Sequence, residues 1–482
     1  MRLGQTSIIH FFSNILSSLL GFLATIYIAR LLGAGPLGVY QVVIGLVSWL
    51  SIAGKVGLSR AITKRISEGV DQGEYTAAGG IIIGGLFIFL SVLLLAFRGQ
   101  VAEYVSYPAT VYIVLILFVV LLNSYLDSLL VGAHLVHISG FLSTIKAGGR
   151  SIFQILLLIA GAGTAGLFIG HIVGLAVAIL LGMYFVLRNI PRPRIPQKGH
   201  FWRLFNFAKF SWLGSLQSRM FSYTDILVLG FFVSSGLIGV YAAAWNIAHF
   251  LILFSGTLQS TLFPEMSAMS VRDNPQAVSR IVEQSLSFGG IFLIPGLFGG
   301  ILLGERILRI YGPEFPKGES ILAILIVANL FMGYQKQLLN TLNAIDRPDI
   351  AFRVNIVFVV ANVALNSALI YLFGWIGAAI ATTASVMVSL ILAYQRVSEL
   401  ISFEVPVREI SKQWLSALLM AVIVYVGLDI ENTYRLLGHN IATVLLLVGI
   451  GASVYFLCLL GLSREFRETI ERNLPFNLPS FS

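Results

Sequence analysis

Residues 77–97 read AAGGIIIGGLFIFLSVLLLAF, from Ala77 to Phe97, with no charged side chain and no proline between Glu74 and Arg98. A helix of about 20 residues rises about 30 Å, the thickness of a bilayer's hydrocarbon core. In lipid only a helix or a closed barrel satisfies every backbone group, and a run this long without alternation predicts a helix. Apolar stretches of similar length recur on both sides of it, from Ile8 to Leu462, separated by loops too short to fold independently. We place spans near 8–29, 37–54, 77–97, 111–133, 141–160, 164–187, 206–231, 237–262, 281–303, 319–341, 351–372, 375–395, 413–428 and 440–462. The expected fold is an all-α integral membrane protein with about fourteen transmembrane helices.

Composition agrees with this reading. Hydrophobic residues make up 57% of the chain and charged ones 11%, against roughly 25% charged in a soluble domain. The single cysteine, Cys458, lies in the last span, which excludes an intrachain disulfide and a cysteine metal cluster. The first span carries Asn14, Ser17, Ser18 and Thr25 and ends at Ile28-Ala29-Arg30 without a small-residue cleavage site. It is expected to be a retained helix rather than a signal peptide.

The net charge of +9 invites a nucleic-acid reading, but its distribution argues otherwise. With the N-terminus inside, Lys55, Arg60, Lys64, Arg65, Arg188, Arg192, Arg194, Lys198, Arg203 and Lys209 fall on the cytoplasmic side. The opposite side keeps only Arg30, Arg98, Arg306, Arg309, Lys317 and Arg435. This asymmetry follows the positive-inside rule and reports orientation. The expected setting is the cell membrane, with both termini cytoplasmic and no nucleic-acid partner.

The chain repeats itself. Gly38-Val39-Tyr40 opens the second span and Gly239-Val240-Tyr241 opens the eighth, an offset of about 200 residues. Gly163-Thr164-Ala165-Gly166 and Gly374-Trp375-Ile376-Gly377 stand in the same way before spans six and twelve. Six spans separate equivalents, an even number, so the halves share one orientation about an axis along the membrane normal. The organisation predicted is an N-lobe over 1–190 and a basic, proline-rich cytoplasmic linker over 191–205. A C-lobe follows over 206–400, then two additional helices and a tail over 401–482. Between two six-helix lobes a cavity is expected.

Two segments carry a family resemblance. Ile28-Ala29-Arg30-Leu31-Leu32-Gly33, followed by Pro36-Leu37-Gly38-Val39-Tyr40, resembles the opening of polysaccharide flippases in the multidrug/oligosaccharidyl-lipid/polysaccharide exporter superfamily. So does Asn362 to Ser385, with Asn362, Asn366, Phe373-Gly374 and Gly377-Ala378-Ala379-Ile380-Ala381-Thr382. The resemblance covers nearly the whole chain. It implies alternating access between two helical bundles that move a lipid-linked sugar headgroup outward, often with ion coupling. The fourteen-span count is similar to that of lipid II flippases, in which the last two helices suggest a groove for the lipid tail.

Polar groups inside the spans supply the candidate sites. In span seven Ser211, Gly214, Ser215, Ser218, Ser222 and Asp225 recur at three- and four-residue steps, a polar stripe that faces a cavity or packs small residues against a neighbour. Span one has a similar face in His10, Ser13, Asn14, Ser17 and Gly21. Arg219 lies near mid-membrane, where a charge costs on the order of 2.5–3.5 kcal/mol even on the lenient insertion scale. A phosphorylated headgroup offers the acceptor geometry that a guanidinium fork suits, and a structural ion pair is the alternative. Arg150 and Lys146 in span five and Lys336 in span ten extend this basic set, although Lys146 and Lys336 are near enough to the cytoplasmic ends to snorkel. Asp127 in span four sits at the depth of Arg150, so an Asp127–Arg150 pair is expected. Arg30 closes the first span as an outer gate or an interfacial anchor.

A second group is rich in oxygen. Asn362 and Asn366 share one face of span eleven, Asp225 supplies a carboxylate, and Thr382 a hydroxyl on span twelve. Such a set suits a hard monovalent cation, or else forms an interhelical polar network with Asp225 protonated. The four positions look like the sodium site of lipid II flippases, with Asn366 standing where that pattern has an aspartate and the Ala378 carbonyl completing the shell. Sodium, or a proton on Asp225, is thus the one expected coupling ion, and no other cofactor or metal is expected.

Weaker signals are read blandly. His134 and His137 fall at a cytoplasmic loop, His171 and His249 within spans, and Ser59–Tyr75, with Lys64 and Glu68 one turn apart, resembles an interfacial amphipathic helix. No phosphate-binding loop, nucleophile elbow or HExxH motif occurs. The expected protein is a transporter rather than an enzyme: a monomeric flippase for a lipid-phosphate-linked glycan, working beside other glycan-assembly membrane proteins. A cation-coupled multidrug antiporter is the alternative, disfavoured by the deep arginines and the absence of Asp or Glu from span one. A glycan polymerase or ligase would need a larger outer loop than Gly304–Gly318.

Overall fold

The computed structural model describes residues 20–473 apart from 56, 212 and 272–274, and their side chains except at 210–222, 253–265, 267–275 and 472–473. No strand occurs among the described residues, and eleven helices are long and apolar enough to cross a membrane. The chain divides into two compact units, up to Ala242 and from Ala243 onward.

The first unit contains α1 (Leu20–Leu32), α2 (Ala34–Lys55), α3 (Leu58–Ser67), α4 (Gln72–Ala96), α5 (Arg98–Val105), α6 (Thr110–Gly132), α7 (Val136–Ile159), α8 (Gly163–Asn189), α9 (Lys198–Ser211) and α10 (Leu213–Phe232). It ends in the first turns of α11 (Ser235–Val271). The tightest packing joins α7 to α8 through Gly170 and Gly174, a GxxxG pair. A Cβ on Gly170 would lie 2.5 Å from the Gln154 backbone nitrogen, and one on Gly174 would run into the backbone of Arg150. Lipid tails are as apolar as leucine, so helices associate here by close packing, and small residues permit it.

Short helices flank the spans. On α3 the apolar Ala61, Ile62 and Ile66 are buried, while Arg65 pairs with Glu68 at 2.8 Å. Lys64 lies 4.8 Å above the Phe207 ring of α9, so Glu68 takes its i−3 rather than its i−4 neighbour. The residues before α9 run extended against the start of α4: the Arg194 N–H donates to the Gly73 carbonyl at 3.1 Å. His200 approaches Asp71 at 3.3 Å. At the other end of the spans, the Tyr104 hydroxyl of α5 donates to the Leu227 carbonyl of α10 at 2.6 Å.

α2 and α11 meet at their N-terminal turns in a reciprocal way. A Cβ on Gly38 would collide with the Ser235 carbonyl oxygen, and one on Gly239 with the Ala34 carbonyl oxygen. Ala34 and Ser235 stand to each other at the same offset as Gly38 and Gly239.

The second unit holds the rest of α11, then α12 (Pro275–Gly289), α13 (Leu293–Arg309), a 3-10 turn at Pro316–Gly318, α14 (Glu319–Ala344), α15 (Pro348–Ser398), α16 (Val407–Tyr434), α17 (Asn440–Leu462) and α18 (Arg464–Asn473). α15 has 51 residues, which as one straight rod would reach about 76 Å, more than twice the hydrocarbon core. It is in fact a hairpin. Gly374 adopts φ 60°, ψ −141°, a conformation essentially confined to glycine, and the two arms touch so closely that a Cβ on Gly377 would strike the Leu369 carbonyl. The arms correspond to the spans predicted at 351–372 and 375–395. Elsewhere in this unit Val282, Leu338, Leu342, Ala393 and Val397 form a dry core.

Candidate functional site

The span predicted at 206–231 falls on the end of α9 and on α10, and the side chains of Ser211, Ser215, Ser218, Arg219 and Ser222, with Gly214 among them in the chain, lie outside the described residues. Asp225 is described and is 4% exposed. The Tyr241 hydroxyl, from the first turns of α11, donates to Asp225 Oδ2 at 2.5 Å. A carboxylate buried in a span needs such donors, because burial without them costs several kcal/mol.

In the second unit the α15 hairpin brings Asn362, Asn366 and Thr382 together. All three are buried, with Ser385 and Ala378 beside them. The Asn362 Nδ2 donates to the Thr382 hydroxyl at 3.2 Å across the hairpin, and the Asn366 Nδ2 donates to the Asn362 carbonyl at 2.9 Å. The amide nitrogens are thus turned into the helix pair. The spacing of 362 and 366 indicated a common face, and the Gly374 turn supplies the register that sets Thr382 opposite.

The expected Asp127–Arg150 pair is corrected. Asp127 of α6 pairs with Lys146 of α7 at 2.5 Å, and its other carboxylate oxygen accepts from Ser139 at 3.2 Å. Lys146 lies one turn nearer the α6–α7 connection than Arg150, and the hairpin register presents that turn to Asp127. Lys146 is therefore held by a carboxylate, part-buried, rather than free at the membrane surface.

Arg150 has no carboxylate partner among the described residues. Its guanidinium passes close enough to α1 that a Cβ on Gly21 would lie 3.5 Å from Nη2. Around it stands a polar group drawn from α2, α7 and α8. The Tyr40 hydroxyl of α2 bonds His171 Nδ1 of α8 at 2.8 Å, and Gln154, Arg150 and Tyr223 lie close to that hydroxyl. Gln154 also donates to the Leu167 carbonyl at 2.9 Å. Tyr40 closes the repeat motif as Tyr241 does, so both motif tyrosines end on a buried titratable group. That parallel is the signal that could have found His171.

Two further basic candidates are described, each within its own unit. Arg30 is exposed at the end of α1, the position expected of an anchor or gate. Lys336 is half-buried on α14, close to His249 of α11, whose ring stacks on Trp245 at 5.6 Å and 14°.

Residues 27–316 match the family described as "Polysaccharide biosynthesis protein". The chain is 31% identical to the "Probable flippase AglR" of Haloferax volcanii, over 99% of each chain. It is 29% identical to the "Probable low-salt glycan biosynthesis flippase Agl15" of the same organism, over 98% of this chain and 99% of that one. Among solved structures, "Lipid II flippase MurJ, inward closed conformation" superposes with a TM-score of 0.78 at 17% identity, covering 96% of this chain and 100% of the other, which shows a common fold. A multi-pass helical chain so related along its whole length is a member of the polysaccharide biosynthesis protein family.

Proposed function

We propose that the protein is a flippase that carries a lipid-phosphate-linked oligosaccharide from the cytoplasmic to the outer leaflet by alternating access. Whole-length kinship to relatives named as flippases supports this reading, and Arg150 is the observation that carries it at the level of chemistry. A guanidinium inside a span, without a carboxylate partner among the described residues, calls for an anionic visitor. A lipid-linked diphosphate or monophosphate meets that need with charge and with paired acceptor oxygens. Arg150 is the principal headgroup ligand, Tyr40 and Gln154 position it, and Arg219, Lys146, Lys336 and Arg30 line the basic route. The headgroup crosses within the protein while the lipid tail stays in the bilayer.

The span count in this reading is fourteen. The α15 hairpin crosses twice, and the shorter apolar helices at Leu20–Leu32 and Tyr223–Phe232 complete the set. Coupling to Na+ or H+ falls to Asp225 and to the Asn362–Asn366–Thr382 group with the Ala378 carbonyl, since a carboxylate and buried amide, hydroxyl and carbonyl oxygens are the groups that suit a monovalent cation. The chemistry is transport and not bond making.

The test is movement of a fluorescent lipid-linked oligosaccharide across proteoliposomes, with and without a sodium gradient. Flipping stimulated by sodium is the expected result. Flipping indifferent to sodium and to pH would remove the coupling but keep the flippase. Uptake of cationic dyes without movement of any glycan would overturn the reading in favour of multidrug antiport.

A further inference from the structure

The ends of α12, α16, α17 and α18 enclose a small cavity lined by Ser287, Glu409, Gln413, Ser463 and Glu465, closed by Phe288 and Phe466. Its volume for a water-sized body is about 10 Å³, room for one such body. The walls carry an excess of negative charge and of acceptor oxygen. Glu409 is matched by Lys412 at 2.5 Å and accepts from the Ser463 hydroxyl at 2.6 Å. Glu465 accepts from the Ser287 hydroxyl and feels Lys412 at longer range, but among the described residues it has no salt bridge of its own. Glu283 stands nearby on α12 and adds to the negative field, Arg408 and Lys412 oppose it, and Glu283 is itself occupied by Ser279 at 3.2 Å and the Glu404 N–H at 3.0 Å.

Gln413 supplies the independent observation. It is 3% exposed, and its Nε2 is spent on the Ser287 carbonyl at 2.5 Å. That bond fixes which end of the amide faces the cavity. The Gln413 Oε1 is left buried without a hydrogen-bond donor, and a buried acceptor in that state costs on the order of 1–3 kcal/mol. The two hydroxyls that line the space are already committed as donors, Ser463 to Glu409 and Ser287 to Glu465, and the carboxylates only accept, so the Gln413 Oε1 is relieved when a positive or proton-donating body is present. Burial also raises the Glu465 carboxyl above its ordinary value, and the Glu409 charge adds to this, against the smaller opposing effects of Lys412 and the Ser287 hydroxyl.

We propose that this cavity is a monovalent cation site in which Glu465, Gln413 Oε1 and the hydroxyls of Ser463 and Ser287 are the ligands, with Glu409 as the second-nearest charge. One carboxylate without a salt bridge among the described residues, all-oxygen ligands and a single water-sized space suit Na+ or K+. A divalent ion commonly recruits more carboxylates or keeps bound water, for which there is no room. The site has a structural consequence. α18 is folded back on the end of α17, where Arg467 donates to the Leu460 carbonyl at 3.0 Å and Phe466 stacks on Phe456 at 6.2 Å. The cation would fasten this helix to α12 and α16 through Glu465. The inference is independent of the transport reading.

The experiment is a thermal-stability titration of the full-length protein in detergent, with NaCl or KCl replacing choline chloride at constant ionic strength. It is run in the Asp225→Asn background, which removes the carboxylate of the proposed coupling site. The expected result is a saturable rise in Tm of several degrees with Na+ or K+, absent from the Glu465→Gln and Gln413→Met variants. Should either variant fail to fold, Ser463→Ala serves, weakening the midpoint of the titration. No cation-dependent rise, or one that persists in Glu465→Gln and Gln413→Met, overturns the proposal. A Tm that responds to pH alone would assign the cavity to a proton or a water and likewise overturn it.

Discussion

At the scale of single residues the membrane sets the terms. A charge in a span must be paired, hydrated or used, and the two basic residues of α7 divide along that line. Lys146 is paired with Asp127, so the pair should behave as a structural unit. Asp127→Ala and Lys146→Ala are each expected to lower stability by about 1 kcal/mol, and the double variant by no more than one of them alone, in a double-mutant cycle of thermal unfolding. Arg150 is expected to behave differently. Arg150→Ala should leave insertion and Tm near those of the parent while glycan flipping in proteoliposomes falls at least tenfold, with Arg150→Lys in between because it restores charge but not the fork. Wild-type flipping by Arg150→Ala would remove it from the headgroup path. The sequence was readable up to a point here: composition and depth singled out Asp127, Lys146 and Arg150, but the choice of partner depends on how α6 and α7 register against each other. One helical turn, about 5.4 Å, decides it, and hydropathy does not encode helix register.

At the scale of elements the reading went further. Long charge-free runs such as 77–97 are visible because lipid imposes length and composition together, and α4 was found where expected. The turn inside α15 was also visible, as Phe373-Gly374 between two apolar runs. Gly374→Ala is expected to cost on the order of 1–3 kcal/mol, because alanine does not tolerate φ 60°, ψ −141°. Measured as a drop in Tm, the loss should be accompanied by weaker burial of the Asn362–Thr382 bond, seen as faster hydrogen exchange in both arms. Not visible was the intimacy of α7 and α8. Gly170 and Gly174 looked like two of many glycines in apolar sequence, and only the structure shows backbone against backbone at Gln154 and Arg150. Gly174→Ala is expected to push the helices apart at a cost of about 1–3 kcal/mol and to displace Arg150. It should therefore reduce flipping more than a substitution of equal size at the open Gly84, beside which a Cβ would meet nothing within 4 Å.

At the scale of the whole molecule, orientation is the property with the simplest check. Cys458 is the single cysteine, so Cys458→Ser gives a cysteine-free background. A cysteine placed at Lys317 should react with a membrane-impermeant thiol reagent in intact cells, and one placed at Gln197 only after the membrane is opened. The reverse pattern would invert the proposed direction of transport. The repeat was legible because two short motifs stood at one offset, in order and at matching places in the span series. The hydrogen-bond destinations of Tyr40 and Tyr241 were not, since they depend on helices outside the motif.

The crossing of α2 and α11 deserves to be read through that repeat. Ala34 and Gly38 meet Ser235 and Gly239 by a rule of exchange: what the first strand of residues does to the second, the second does to the first. Such self-complementarity is the mark of two identical subunits meeting on a two-fold axis, here within one polypeptide. Within the first unit the two segments meet here as equivalent surfaces, each the other's counterpart. A methyl group at position 38 and one at 239 should inflict the same damage, and the pair together scarcely more than either, since the first already holds the helices at arm's length.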